Sequence, residues 1–173
     1  MGLTIARLDA SVKVGNFDCG DSELNRYLHE DALENQERHS VGVTYVARDM
    51  EASEAILGYY TLAVGSVPKE PIRHIFGDAI PPYGVVPCIL LGRLAVNESV
   101  KSHGIGSRLL RHAFSISLDV KASIGCRLMI VDAYANAIAF YEKFGFMDLP
   151  NPKQKRSTTR MFIDLVTVEN AQA

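Results

Sequence analysis

Two glycines one residue apart, Gly104 and Gly106, lie between an apolar run and a helical pattern in RLAVNESVKSHGIGSRLL, residues 93–110. A strand that ends in a glycine-rich turn directly before a helix is suited to binding an anion. The first N–H groups of a helix lack internal partners, and the helix dipole adds partial positive charge there. Phosphate oxygens approach such amides closely where no Cβ intervenes, and Lys101 and His103 add charge nearby. The residues alone leave open a plain loop whose glycines only turn the chain.

The spacing of the glycines excludes two common nucleotide-binding motifs. A dinucleotide fingerprint requires a third glycine where this chain has Leu109, and no Gly-Lys-Ser or Gly-Lys-Thr of a P-loop follows. A second group of polar and aromatic residues occurs later, in VDAYANAIAFYEKFGF, on and after one predicted short helix. Its members are Asn136, Ala139, Tyr141, Lys143, Gly145 and Phe146.

Taken together, the two stretches resemble the GNAT acetyltransferase superfamily. In that superfamily a Q/R-x-x-G-x-G/A loop binds the pyrophosphate of acetyl-CoA, and the later helix flanks the pantetheine arm and the acyl group. Lys101 stands where the superfamily usually has Gln or Arg, and lysine keeps the charge but lacks the planar fork of arginine. The resemblance implies one GNAT domain over residues 1–173, an α/β (α+β) fold whose mixed, mostly antiparallel central sheet splays at the acetyl-CoA site.

Three further stretches are similar to the toxin branch of this superfamily: FDCGDSELNRYL near the start, GYYTL at 58–62 and LLGRLAV at 90–96. The similarity runs from about Phe17 to Phe162. It implies a toxin that acetylates the α-amine of the amino acid on charged tRNA and so blocks translation. It also implies a ribbon-helix-helix antitoxin as partner and a homodimer.

The resemblance assigns roles to individual residues, with acetyl-CoA as co-substrate. The backbone of Leu94, Ala95 and Val96 pairs with the pantetheine amides, and the Val96 N–H polarises the thioester carbonyl. Asn136 hydrogen-bonds the pantetheine arm, and Lys143 approaches the nucleotide end. Ala139 and Phe140 leave or shape room for the arm. The residues that wrap the pyrophosphate are Lys101, Ser102, His103, Gly104, Ile105, Gly106 and Ser107.

Tyr141 is the implied general acid, which protonates the departing thiolate. A tyrosine pKa near 10 lies above a thiol pKa of about 8.5, so the transfer is mildly uphill unless the site adjusts either value. The alternative is a buried aromatic ring that anchors the helix. No general base is evident, because Glu142 is adjacent in the helix and points away from Tyr141. The ester lowers the basicity of the acceptor amine, so water suffices as the base.

The net charge of −2 means that RNA binding needs a local basic patch. The densest basic segment follows the Tyr141 helix, and Arg108 and Arg111 lie on the exposed side of the helix after the glycines. Charged loops are more often simply solvated, and that alternative stays open. Arg93 beside the active strand contacts RNA or substrate, or forms a surface ion pair. The basic segment consists of Lys153, Lys155, Arg156 and Arg160.

The cysteines and histidines indicate neither a disulfide nor a metal site. Cys19, Cys88 and Cys126 form no CxxC pair, and no HExxH or HxxxH spacing occurs. We therefore expect three small buried thiols and no metal. The N-terminus lacks the apolar core of a signal peptide, and no apolar run is long enough to span a bilayer, so we expect a cytoplasmic protein.

The secondary-structure elements that must position these residues are predicted from hydrophobic periodicity and turn residues. They form a mixed sequence of helices and strands. Asp21 or Ser22 caps the start of a first helix, and Gly58 marks a bulge or a close backbone approach. Residues 68–84 form an irregular excursion with one helical turn near 72–76. Predicted strands cover 3–8, 43–50, 55–67, 85–97, 126–133 and 159–166, and later helices cover 104–121 and 136–146.

Two other functions are compatible with these features. The first is a GNAT enzyme that acetylates a small-molecule amine or a protein amino group. The second is a non-catalytic module that binds acetyl-CoA or a partner and acts through regulation, and the presence of Tyr141 argues against it.

Overall fold

The computed structural model describes residues 2–51, 55–80, 82, 84–149 and 157–172. Within these residues seven strands form one sheet in the order β1-β2-β3-β4-β5-β7-β6. Strands β4 and β5 are parallel, whereas the pairs β1–β2, β2–β3, β5–β7 and β6–β7 are antiparallel. The predicted α+β fold with a mixed, mostly antiparallel sheet is thus confirmed. The strands are β1 (Leu3–Arg7), β2 (Val43–Asp49), β3 (Ile56–Pro68), β4 (Val85–Val96), β5 (Leu128–Tyr134), β6 (Met147–Asp148) and β7 (Thr158–Asp164).

The helices follow the predicted order with additions. The first helical segment is interrupted by one π-helical turn over Tyr27–Asp31, and α5 is preceded by a 3₁₀ turn over Ala135–Ala137. No described helix is long and apolar enough to cross a membrane. The helices are α1 (Ser22–Arg26), α2 (Ala32–Glu37), α3 (Lys69–Phe76), α4 (Ile105–Ile124), α5 (Ile138–Glu142) and α6 (Leu165–Gln172).

Each predicted strand is confirmed, but one helix is longer than predicted and two short elements were not predicted. The excursion after β3 holds the two-turn helix α3 rather than one turn, and the short strand β6 follows α5. The last predicted strand stops at Asp164, whose carboxylate accepts a hydrogen bond from the Val166 N–H at 3.0 Å. This side-chain cap starts α6 where the sequence pattern predicts continued strand.

The chain divides into two compact units, and the division falls inside β3, β4 and α4. The first unit comprises Met1–Ala63 and Gly92–Ala113, and the second comprises Val64–Leu91 and Phe114–Ala173. Each unit has its own apolar cluster. The first cluster includes Leu8, Phe17, Tyr27, Leu28, Val46, Tyr59 and Ala95. The second includes Val67, Ile72, Val86, Leu128, Ile130, Leu149 and Phe162.

Helix α1 begins at a side-chain cap, and the three thiols are buried. The Asp21 carboxylate accepts hydrogen bonds from the N–H groups of Glu23 at 2.9 Å and Leu24 at 3.0 Å, so Asp21 rather than Ser22 is the N-cap. The cysteine side chains are free and buried, as predicted. Their exposed fractions are 8% for Cys19, 5% for Cys88 and 8% for Cys126.

Candidate active site

The end of strand β4 lies against a glycine of β3 in the first unit. A Cβ on Gly58 would lie 2.8 Å from the Ala95 carbonyl oxygen and 2.9 Å from Leu109 Cδ1. The register between β2 and β3 also shifts here, because Ala47 pairs with Gly58 while Arg48 pairs with Ile56. Both expectations for Gly58, a bulge and a close approach, are confirmed. The missing side chain lets β3 pack against both the end of β4 and the start of α4.

Residues 97–104 connect this strand to helix α4. The Asn97 N–H donates to the Leu57 carbonyl at 2.9 Å, which fixes the end of β4 against β3. The Asn97 side-chain oxygen accepts from the N–H and the hydroxyl of Ser99 at 3.0 and 2.8 Å. These bonds hold the single 3₁₀ turn Glu98–Val100 that starts the loop. The strand therefore ends in an ordered turn directly before the glycines.

The two glycines lie where the loop becomes helix. The Gly104 carbonyl accepts the first helical hydrogen bond, from the Arg108 N–H at 3.1 Å. The N–H groups of the intervening residues 105–107 therefore have no carbonyl partner one helical turn earlier. Gly104 has a φ of 76°, and a Cβ there would meet no atom within 4 Å. Glycine is favoured at this position by backbone conformation, and the space beside it is open to a ligand.

Lys101 is half-exposed and is tied to a neighbouring segment. Its ammonium donates to the Cys19 carbonyl at 3.1 Å and forms an ion pair with the Glu98 carboxylate. The hydrogen bond to Glu98 raises the pKa of Lys101, so the ammonium stays charged. Gly20 makes this contact possible, because a Cβ there would collide with the same carboxylate. Glu98 therefore offsets part of the positive charge that the sequence predicts at the loop.

Asn25 organises the segment that holds Lys101, a role that was not predicted from the sequence. Its side-chain oxygen accepts from the Cys19 N–H at 2.9 Å and from the Cys19 thiol at 3.1 Å. Its amide nitrogen donates to the Asp18 carboxylate at 2.7 Å. Burial raises the pKa of Cys19, which keeps it a neutral, packed thiol as expected. The signal for Asn25 was present in FDCGDSELN, where an amide follows a Gly-Asp turn.

Arg93 on β4 lies over an aromatic ring. Its guanidinium carbon is 3.6 Å from the centre of the Tyr27 ring, and Tyr27 is 4% exposed. The Tyr59 ring stacks beside Tyr27 at 6.3 Å, and the Tyr59 hydroxyl donates to the Leu24 carbonyl at 2.8 Å. Among the described residues no carboxylate lies within ion-pair distance of Arg93. The ion-pair alternative therefore finds no partner there, and the guanidinium is held by the ring.

The residues predicted around the tyrosine lie on the 3₁₀ turn and helix α5 of the second unit. Asn136, Ala139 and Lys143 are exposed, whereas Tyr141 is only 5% exposed. The Tyr141 ring contacts the Phe140 ring at 5.2 Å and the Phe146 ring at 5.3 Å, both edge to face.

Burial raises the pKa of Tyr141 above its ordinary value, so the hydroxyl is protonated at neutral pH. The buried ring is therefore placed to anchor helix α5, which is one of the two roles considered from the sequence. Its hydroxyl also keeps the proton that the other role, general acid, requires. Helix α5 ends in a turn in which the Phe146 N–H donates to the Tyr141 carbonyl at 3.2 Å. Gly145 allows this turn with a φ of 91°.

Of the predicted basic segment, only Arg160 lies within the described residues. Lys153, Lys155 and Arg156 lie outside the described residues. Arg160 lies in β7, where its Nε and one Nη each donate to the Asp132 carboxylate at 2.8 Å. This two-bond ion pair raises the pKa of Arg160 and neutralises its charge locally. Arg108 and Arg111 are exposed on α4, as predicted.

The family model of the acetyltransferase (GNAT) domain matches residues 41–148. The chain is also 34% identical over 141 residues to the tRNA-acetylating toxin of Mycobacterium tuberculosis (strain ATCC 25618 / H37Rv), a match that covers 81% of each chain. The chain belongs to the GNAT acetyltransferase family, in its branch of tRNA-acetylating toxins.

Solved structures extend this likeness over the whole chain. AtaT complexed with acetyl-methionyl-tRNAfMet has a TM-score of 0.87 and 26% identity, covering 99% of each chain. A tyrosine-to-phenylalanine mutant of AtaT bound to the C-terminus of the antitoxin AtaR and acetyl-CoA has a TM-score of 0.81 and 26% identity. That match covers 100% of this chain and 99% of the other.

Proposed function

We propose that the protein transfers the acetyl group of acetyl-CoA to the α-amine of an aminoacyl-tRNA and thereby blocks translation. The observation that carries the proposal is the start of α4, where three N–H groups without helical partners follow the ordered end of β4. Such amides bind the oxygens of a diphosphate without the help of a side chain. The proposal is also supported by relatives named for tRNA acetylation and solved with acetyl-CoA or with an acetylated tRNA.

The residues of the first unit fit acetyl-CoA, which supplies an activated thioester when bound. The amides of residues 105–107 hold the pyrophosphate, and the open space beside Gly104 lets the oxygens approach. The backbone of Leu94, Ala95 and Val96 pairs with the pantetheine amides. The Val96 N–H donates to the thioester carbonyl oxygen and stabilises the negative charge that develops there.

The Tyr141 hydroxyl is the proton donor in this proposal. The acceptor nitrogen forms a bond to the acetyl carbon, the carbon–sulfur bond breaks, and the departing sulfur takes the tyrosine proton. Burial holds the hydroxyl in its protonated form at the pH of the reaction. The proton that leaves the new amide nitrogen passes to water, because an amine next to an ester is weakly basic and already largely neutral at pH 7. The tyrosine then regains a proton from solvent before the next turnover.

The proposed acceptor is the α-amine of the amino acid on a charged tRNA. The acceptor amine is adjacent to an ester, which lowers its pKa below the ordinary range of about 7.7–8.0 and leaves much of it neutral at pH 7. Aminoacyl-tRNA is made and used in the cytoplasm, so the reaction takes place there. All 173 residues act as one GNAT domain, as a homodimer neutralised by a ribbon-helix-helix antitoxin.

The test uses purified protein, radiolabelled acetyl-CoA and total aminoacyl-tRNA, followed by deacylation and identification of the labelled amino acid. We expect label on the amino acid with the wild-type protein and a large decrease of label with Tyr141→Phe. Label only on free amines or on protein, without growth arrest when the protein is expressed, would instead establish the small-amine or protein acetyltransferase.

A further inference from the structure

A pocket with a volume of about 380 Å³ lies in the first unit, beside the end of β4. This volume is at the lower end of the range for small-molecule sites, about 300–1,000 Å³. Lys13 and Arg48 supply two positive charges to its lining, and Asn16 and Asn97 supply amides. No lining residue among those described is acidic. The pocket is therefore chemically suited to an anion of the size of one nucleotide or smaller.

Both cations lack an ion-pair partner among the described residues. Arg48 Nε is buried and has no hydrogen-bond partner there. The carboxylate of Asp9 interacts with Arg48 only through space, and it already accepts from the Ser11 N–H at 2.7 Å and from the Ser11 hydroxyl. The Arg48 guanidinium is therefore not neutralised by a carboxylate, and its charge can attract an anion in the pocket that it lines.

The strand bulge explains how the half-buried Arg48 comes to line this pocket. The register shift between Ala47 and Arg48 skips Leu57 on β3, and the Leu57 carbonyl accepts from the Asn97 N–H. Bulges re-aim side chains beside functional sites. Here the same irregularity presents Arg48 to the pocket and fixes Asn97, which directly follows Val96 on β4.

We propose that this pocket binds a phosphate group of the RNA acceptor through Lys13 and Arg48. The inference rests on the proposed function, because it needs an RNA whose amino acid reaches the end of β4. Asn97 lines the pocket, and its Cα is about 3.8 Å along the chain from that of Val96, so the pocket begins one residue from the proposed thioester-polarising N–H. The side-chain oxygen of Asn97 is engaged by Ser99, which leaves its amide nitrogen to donate to phosphate.

An RNA phosphate is favoured over the phosphates of the cofactor. The glycine loop already offers three backbone amides for a diphosphate, and it needs neither Lys13 nor Arg48. The protein has a net charge of −2, so binding of tRNA depends on local cations. Within the described residues Arg160 is neutralised by Asp132, whereas Lys13 is exposed and has no carboxylate within ion-pair distance.

The experiment compares four variants in tRNA binding at several salt concentrations and in acetyl-CoA binding. They are Lys13→Gln, Lys13→Gln with Arg48→Gln, the charge-keeping Lys13→Arg with Arg48→Lys, and the control Arg38→Gln. Arg38 is a surface arginine at the end of α2 that pairs with Glu34 at 3.0 Å. Lys13→Gln is also tested by itself, because its side chain is exposed and can be replaced without disturbing buried structure.

We expect the double Gln variant to bind aminoacyl-tRNA about fivefold to tenfold more weakly, with a salt dependence shallower by about 0.7–0.9 for each phosphate that the protein no longer neutralises. Lys13→Gln gives a smaller decrease of affinity in the same direction. The charge-keeping variant and Arg38→Gln bind as the wild type does, and acetyl-CoA affinity is unchanged throughout.

Three results would overturn the inference, and none of them affects the wild-type labelling that tests the proposed function. An unchanged salt slope for Lys13→Gln and for the folded double variant would show that no RNA phosphate is bound there. Weakened acetyl-CoA binding would assign the pocket to the cofactor phosphates. Normal tRNA binding with weakened binding of an acidic antitoxin peptide would assign it to the protein partner.

Discussion

The glycine loop of the first unit (residues 101–107) and the tyrosine helix α5 of the second unit present their chemistry in opposite ways. The loop is largely exposed and offers backbone N–H groups, with its one ammonium already paired to Glu98. Helix α5 offers a single side-chain hydroxyl on a ring that is 5% exposed and packed among aromatic rings. The two regions therefore suit two different tasks. Backbone N–H groups suit the binding of a large anion, and a buried hydroxyl suits the donation of one proton.

The largest expected effect comes from the second region. Tyr141→Phe removes only the hydroxyl and keeps the ring contacts with Phe140 and Phe146, so folding and cofactor affinity stay at wild-type values. The rate of acetyl transfer falls by roughly 10²–10⁴, the usual range for a general acid. Single-turnover assays with aminoacyl-tRNA measure the rate, and calorimetry measures acetyl-CoA affinity. Wild-type turnover would leave Tyr141 an anchor only.

The next effect tests the first region. Gly104→Val places a branched side chain in the open space beside the proposed pyrophosphate site and in a left-handed backbone conformation. We expect acetyl-CoA to bind at least about tenfold more weakly, because the side chain obstructs the approach of phosphate to the amides. Isothermal titration calorimetry measures this affinity.

Gly125→Val is the matched control for that change. Gly125 has a φ of 82° and, like Gly104, no atom within 4 Å of an added Cβ, but it lies at the far end of α4. Both variants carry similar backbone strain, so their free energies of unfolding fall by similar amounts. Equal acetyl-CoA affinity in the two folded variants would remove the glycine loop as the phosphate site.

A smaller effect concerns Arg93 on β4, in the same unit as the glycine loop. Arg93→Lys keeps the charge but removes the planar stacking on Tyr27, an interaction worth about 0.5–2 kcal/mol. We expect kcat/KM for aminoacyl-tRNA to fall several-fold while acetyl-CoA affinity is unchanged. Tyr27→Phe keeps the ring and serves as the control. A change in unfolding free energy without any change in kcat/KM would make Arg93 a purely structural residue.

The sequence predicted the two regions unequally, and the reason is physical. Glycine spacing and the strand–helix order predicted the loop, because backbone requirements appear directly as missing side chains. The partner of Lys101 was not predictable, since its hydrogen bond to Cys19 joins residues 82 positions apart. The pairing of Arg160 with Asp132 depends on strand register, which composition does not reveal. Helix α6 was missed because one carboxylate, Asp164, ends the strand pattern.

The smallest expected effect is a pH dependence of the free energy of unfolding that comes from His112 in the first unit. The Tyr60 hydroxyl and His112 Nδ1 are 2.7 Å apart, and the Tyr45 ring stacks on Tyr60 at 5.1 Å. Burial lowers the pKa of His112 below its ordinary value of 6.5, so the folded protein favours the neutral imidazole. The unfolded chain binds the proton more readily, and protonation therefore favours unfolding.

This stabilisation is fully present above about pH 6.5 and is lost as the pH falls from there through the lowered pKa of the folded state. Denaturant titrations between about pH 5 and 8 measure the free energy of unfolding for the wild type and for His112→Gln. Carboxylates also titrate towards the acid end of this range, so the quantity to compare is the difference between the two proteins. We expect that difference to shrink as the pH falls, whereas a difference that stays constant with pH would show that His112 keeps an ordinary pKa in the folded protein. Acetyl transfer by His112→Gln should change little, since the ring belongs to the packing of α4 on β3 and not to the loop amides.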